Sequence, residues 1–75
     1  VELYKEVGRL IASYRKEKGI SQEKLAALSD LHEDYIGKIE RGERKPRLET
    51  IIQILTAMEV SISTYFLNLD KNLKR

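Results

Sequence analysis

Leu3, Val7, Leu10, Ile11 and Tyr14 recur at i, i+4, i+7, i+8 and i+11, the spacing of one face of an α-helix. Gly8 interrupts that helix at a propensity cost of about 1 kcal/mol against Ala. A basic last turn, Arg15-Lys16-Glu17-Lys18, runs into Gly19, which suits a C-terminal cap. Ser21 then reads as the N-cap of a second helix with acid in its first turn, Gln22-Glu23-Lys24. Leu25, Ala26 and Leu28 give it a short apolar face, the small Ala26 and Ala27 permit close approach by another helix, and the pattern fades at Ser29-Asp30. Leu31-His32 is a turn. A third helix is expected from Glu33 to Arg41 with Ile36 and Ile39 inward, ended by Gly42. Pro46 holds Lys45 extended. Leu48, Ile51, Ile52, Leu55 and Met58 mark a fourth helix, and Ile62, Tyr65, Phe66 and Leu69 a last one over about 62–69, with a polar, frayed tail from Asp70 to Arg75. No segment alternates with period two. The pattern predicts an all-α fold of five short helices, the second and third joined by a few residues in helix-turn-helix geometry over about 22–41.

Size and composition narrow this further. Seventy-five residues support one domain, 1–75. A domain of that size buries only about 60% of its unfolded surface, which makes a second subunit plausible on energetic grounds. Cysteine is absent, so no disulfide or thiolate metal site is available. No apolar run is long enough for a membrane span and no signal peptide is visible, so the expected compartment is the cytoplasm, at the nucleoid. The net charge is +2, but its distribution is uneven. Lys38, Arg41, Arg44, Lys45 and Arg47 against Glu40 and Glu43 concentrate +3 between residues 38 and 47, while the flanking segments carry −1 and zero. Such a stretch suits a phosphate backbone, and it equally suits a solvated loop.

The residues that decide between those readings form one ordered set. They are Arg15, Gly19-Ile20-Ser21-Gln22-Glu23-Lys24-Leu25-Ala26, Leu31, Tyr35-Ile36, Ile39-Glu40-Arg41-Gly42, Pro46 and Leu48. In this the sequence resembles the XRE family, the Cro and phage-repressor-like helix-turn-helix regulators, over roughly Val7 to Leu67. The resemblance implies a lambda-repressor-like fold and sequence-specific binding to an operator in double-stranded DNA. It implies that Gln22, first in its helix, grips a phosphate beside Ser21 and the backbone N–H groups of that helix end. It also implies a partly buried ion pair between Arg15 and Glu40, structural rather than DNA-reading.

The base-reading positions implied in the same way are His32, Glu33, Asp34, Gly37 and Lys38. Lys38 can donate to guanine O6 or N7, and Glu33 or Asp34 can accept from cytosine N4. Two adjacent acids depart from the family's usual Ser, Thr, Gln or Arg at this end, and carboxylates favour a helix N-terminus for dipole reasons alone. Gly37 either admits close backbone approach or leaves an empty site. Tyr35 is a phosphate contact through its hydroxyl or a half-buried ring, the first favoured because it sits one position before Ile36. Arg41, Arg44 and Lys45 are expected to track the backbone, one of them reaching the minor groove, with Lys24 and Arg47 as weaker candidates.

Ile62, Tyr65, Phe66, Leu67 and Leu69 are more large apolar groups than one small helix is expected to hide, and Leu67 lies off the stripe. They are the expected interface of a homodimer, whose operator would be palindromic with half-sites about 34 Å apart. The alternative for those side chains is packing on the fourth helix within one subunit. The short chain, the apolar last helix and the run Asp34 to Gly42 also resemble the controller proteins of restriction–modification systems. Because the sequence starts at Val1 rather than Met, the DNA-binding part of a larger repressor stays an alternative. So does an antitoxin-like or bridging module that uses the same fold to bind protein. An enzyme is not expected: His32 is the sole histidine, Glu33 and Asp34 point about 100° apart on a helix, and no phosphate-cradling glycine loop is present. No cofactor, small-molecule or membrane partner is expected.

Overall fold

A computed structural model describes residues 2–74. The described residues form five helices: α1 (Leu3–Glu17), α2 (Gln22–Ser29), α3 (Glu33–Glu40), α4 (Leu48–Ala57) and α5 (Ile62–Leu73). No strand is present among them. Local chemistry sets the starts. The Glu2 carboxylate accepts from the Tyr4 and Lys5 backbone N–H groups, Ser21 Oγ from Lys24 N at 3.0 Å, and Ser61 Oγ from Thr64 N. Four of the ends share one geometry. A residue in the left-handed region (Gly19, φ 73°; Asp30, φ 58°; Gly42, φ 77°; Glu59, φ 58°) turns the chain, and the next N–H reaches back into the helix. Thus Ile20 N donates to Arg15 O, Leu31 N to Ala26 O, Glu43 N to Lys38 O and Val60 N to Leu55 O.

α1 packs on α3 and α5, and α2 lies between α3 and α4. The centre is built from Ile11, Leu25, Ile36, Ile39, Ile54, Leu55 and Tyr65, all essentially without solvent exposure. The contact of α1 with α3 depends on Gly8. A Cβ there would stand 1.9 Å from the Ile39 carbonyl oxygen and 2.8 Å from that of Glu40. Gly8 therefore lets two helix backbones touch. α1 and α5 are joined by polar groups as well: the Tyr65 hydroxyl donates to Val7 O at 2.9 Å, and the buried Glu6 carboxylate receives Arg9 and Asn72 Nδ2. Burial without loss of these partners raises the Tyr65 hydroxyl well above its ordinary pKa, desolvation being the main cause.

Several expectations from the pattern need correction. α5 continues through the polar stretch to Leu73, because Asn72 is bonded to Glu6 and Leu73 packs on the core. α3 ends at Glu40, with Arg41 as its C-cap. Leu28 is half exposed and Ala27 exposed, so Ala26 alone provides the close approach on α2. No single helix among the described residues is long and apolar enough to cross a membrane.

Candidate nucleic-acid interface

The platform of the site is a buried polar link between α1, α2 and α3. Arg15 Nε and Nη2 donate to the two Glu40 oxygens at 2.7 and 3.1 Å, and its Nη1 to the Ile20 carbonyl at 2.9 Å. Both side chains are about nine-tenths or more buried. A bidentate guanidinium–carboxylate pair with the third nitrogen also bonded is the geometry that a buried charge requires. Glu40 Oε1 also accepts from Gln22 Nε2 at 2.8 Å. Sequence reasoning placed Arg15 with Glu40 but missed Gln22 as a third member. No local spacing signals it, since Gln22 and Glu40 meet only when α2 crosses α3.

Gln22 thus lies at the N-terminus of α2 with one amide proton committed to Glu40, leaving a second proton and the carbonyl oxygen for another partner. It lies over Gly37, where an added Cβ would come within 3.1 Å of Arg41 and 3.6 Å of the Gln22 oxygen. Gly37 is buried. It sits beneath Gln22 and Arg41, and with Glu33 and Asp34 these residues line a small open cleft, of which Gly37 is part.

α3 presents two contrasting faces. Ile36 and Ile39 are sealed in the core, while His32, Glu33 and Asp34 are exposed at its start. His32 is the N-cap residue but makes no side-chain capping bond. Asp34 is joined one turn on by Lys38, Nζ to Oδ2 at 3.1 Å. His32, Glu33, Asp34, Tyr35, Lys38 and Arg44 together line an open cleft of about 500 Å³. Tyr35 is half-buried and its ring packs against the core, so packing accounts for part of it and its edge lines the cleft.

The basic stretch divides. Arg41 is paired with Glu43 at 2.7 Å, which lowers the Glu43 carboxyl below its ordinary pKa through the hydrogen bond, and Arg47 is paired with Glu49 at 2.9 Å. Among the described residues, Arg44 and Lys45 carry no ion pair; Lys45 lies 6.0 Å from the Tyr4 ring centroid. Arg44 and Lys45 are exposed on the loop after α3, Arg44 lining the cleft and Lys45 turned toward Tyr4 of α1, and Lys24 is exposed on α2. Of the unneutralised positive charge, that of Arg44 therefore stands beside the start of α3. No group of three or more His, Cys, Asp or Glu side chains among the described residues is placed to hold a metal ion.

The candidate dimer residues separate just as clearly. Tyr65 is fully buried and Leu69 nearly so, both inside the subunit's own core, so neither is available to a second copy. The error has a simple cause: α1 as well as α4 lies against α5, and the small core has more room than one neighbouring helix would give. Ile62 (42% exposed) and Leu67 (55%) remain at the surface, with Phe66 half-buried and edge-on to Tyr65 at 5.1 Å between ring centroids.

A capped helix crossing beneath a second helix, whose exposed polar start stands beside a basic loop, defines a helix-turn-helix protein. Residues 11–65 match the family HTH_3, Helix-turn-helix, and the chain belongs to it. Over 52 residues it is 44% identical to the control protein C.SmaI of Serratia marcescens, covering 69% of this chain and 62% of that protein. Over 61 residues it is 36% identical to the HTH-type transcriptional regulator y4dJ of Sinorhizobium fredii, covering 81% and 79%. Among solved structures, the restriction–modification controller protein C.Esp1396I superimposes with a TM-score of 0.93 at 35% identity, covering all of this chain and 99% of that one. The C.Esp1396I tetramer in complex with its natural 35 base-pair operator matches equally fully, with a TM-score of 0.92.

Proposed function

We propose that this protein is a transcription regulator that binds an operator in double-stranded DNA sequence-specifically, in the manner of a restriction–modification controller protein. The observation that carries the reading is the exposed start of α3, His32 to Asp34 with Lys38, standing outside a sealed core and sharing one cleft with Arg44, a cation without an ion pair among the described residues. In the reading, Asp34 and Lys38, with His32 and Glu33, face base edges in the major groove. Ser21, Gln22, Lys24, Tyr35, Arg41, Arg44 and Lys45 hold phosphates, fixing register without carrying sequence information. The Arg15–Glu40 pair holds Gln22 and so sets where α2 meets the backbone. The structural match to a controller protein on its operator supports the same assignment.

The active unit in this proposal is a homodimer formed through Ile62, Phe66 and Leu67 on α5. Two exposed large apolar side chains and a half-buried aromatic ring leave apolar surface on α5 that a domain of this size does not hide. A two-fold dimer requires a palindromic operator. Selection of bound sequences from a random duplex pool tests both points. A palindromic consensus is expected, with binding that falls with salt at a log–log slope of about −0.9 per neutralised phosphate. No retained DNA, or a flat salt response, refutes the proposal and favours a protein partner. Sedimentation equilibrium at micromolar concentration tests the dimer, and a strict monomer refutes it.

A further inference from the structure

Two adjacent acids at the end of a helix that must enter a polyanion's groove require an explanation, and the structure offers one for Asp34. Its carboxylate is paired with Lys38 Nζ at 3.1 Å, across one turn of α3. Side chains at i and i+4 stand about 6 Å apart along a helix, so this contact is made by both reaching toward one point on the exposed face. The Asp34 side chain is 76% exposed and that of Lys38 32%, so the pair meets at the surface of the cleft and not in the core. Arg41 lies close enough to feel the Asp34 charge as well. Glu33, by contrast, has no ion-pair partner among the described residues and is left to favour the helix N-terminus.

We propose that Asp34 and Lys38 act as one specificity-determining unit that reads a single G·C base pair in each half-site. This rests on the DNA-binding reading above and adds which base pair is read and by what. In a G·C pair, guanine O6 and cytosine N4 are hydrogen-bonded to each other and so stand about 2.9 Å apart, each with capacity left toward the major groove. A cation and a carboxylate held 3.1 Å apart match that spacing: the ammonium donates to O6 and N7 while the carboxylate accepts the outward N4 proton. An A·T pair also places a donor beside an acceptor, but gives the ammonium one acceptor in place of two, with a methyl group next to O4. Pairing also removes the objection to an acid here. The unit enters the groove with no net charge, so the phosphates do not repel it as they would a bare carboxylate.

The experiment combines random-pool selection with modified bases, using the wild-type chain, Asp34→Ala and Lys38→Met. Asp34 is exposed, Lys38 is partly exposed and neither belongs to the core, so both variants are expected to fold, which circular dichroism checks. Wild type is expected to select one G·C position per half-site, about tenfold or more over A·T there. Both variants lose preference at that same position. N4-methylcytosine at that position, which puts a methyl group where the outward proton was, weakens wild type about tenfold and leaves Asp34→Ala unaffected. 7-Deazaguanine weakens wild type and leaves Lys38→Met unaffected. Relaxation at two positions that are not the same or adjacent, or uniformly tighter binding of every sequence by Asp34→Ala, overturns the paired-reader proposal while DNA binding stands. Failure of wild type to retain any duplex overturns both.

Discussion

Replacing Gly8 by Ala separates what helix propensity predicts from what packing predicts, because the two have opposite signs. On an isolated helix the change stabilises by about 1 kcal/mol. In the fold, the new methyl group would lie 1.9 Å from the Ile39 carbonyl oxygen and 2.8 Å from that of Glu40. Both obstacles are backbone, so no rotamer change relieves them. α1 must move from α3 by more than about 1 Å to bring the contact to a tolerable distance. That movement pulls on the neighbouring Val7–Tyr65 bond and, farther along α1, on the Arg15–Glu40 bonds at 2.7 and 3.1 Å. Overpacking a close-packed contact costs typically 1–3 kcal/mol, and here secondary contacts are loosened too, so Gly8→Ala should destabilise by about 2–3 kcal/mol net. For a domain of this size that lowers Tm by roughly 8–20 °C. Urea or thermal unfolding followed by circular dichroism measures it, at one protein concentration because a dimer's stability depends on mass action. Ser13→Ala, at an exposed position on the same helix, is the control and should change stability by no more than about 0.5 kcal/mol. A Gly8→Ala protein as stable as wild type would refute the claim that the two backbones touch.

Arg15→Ala should destabilise by about 3–5 kcal/mol in urea unfolding, since it leaves Glu40 buried without its cation, whereas Arg15→Met with Glu40→Leu should recover much of the loss. Tyr65→Phe should cost about 1 kcal/mol in the same assay through loss of the bond to Val7 O. Arg44→Ala should weaken binding to all duplexes similarly and reduce the salt slope by about 1 in titrations at several salt concentrations. Ile62→Glu with Leu67→Glu should leave the helical circular dichroism spectrum intact and shift sedimentation equilibrium to the monomer, because both side chains are already at the surface.

The five helices were legible because their apolar residues recur at helical spacing and several of their ends carry Ser or Gly. Ser21, Gly19 and Gly42 act where the pattern placed them, on interactions among residues at most five apart. The end of α5 was not legible. Its last turns are polar, and they stay helical because Asn72 finds Glu6, a partner 66 residues away. The candidate interface was readable to a similar depth. The exposed, polar start of α3 follows from its position after a tight turn, but the submerged place of Gly37 and the binding of Gln22 to Glu40 depend on how two helices cross.

Sequence alone determined the number and order of helices, the turn between α2 and α3, and the focus of positive charge after α3, since each arises from neighbours along the chain. The family resemblance placed Arg15 with Glu40. Tertiary structure decided which of those charges stay free, which apolar residues of α5 reach the surface, and why a glycine stands in the middle of α1. These depend on distances between helices that are remote in sequence. Close packing fixes such distances to within an ångström, and periodicity says nothing about them.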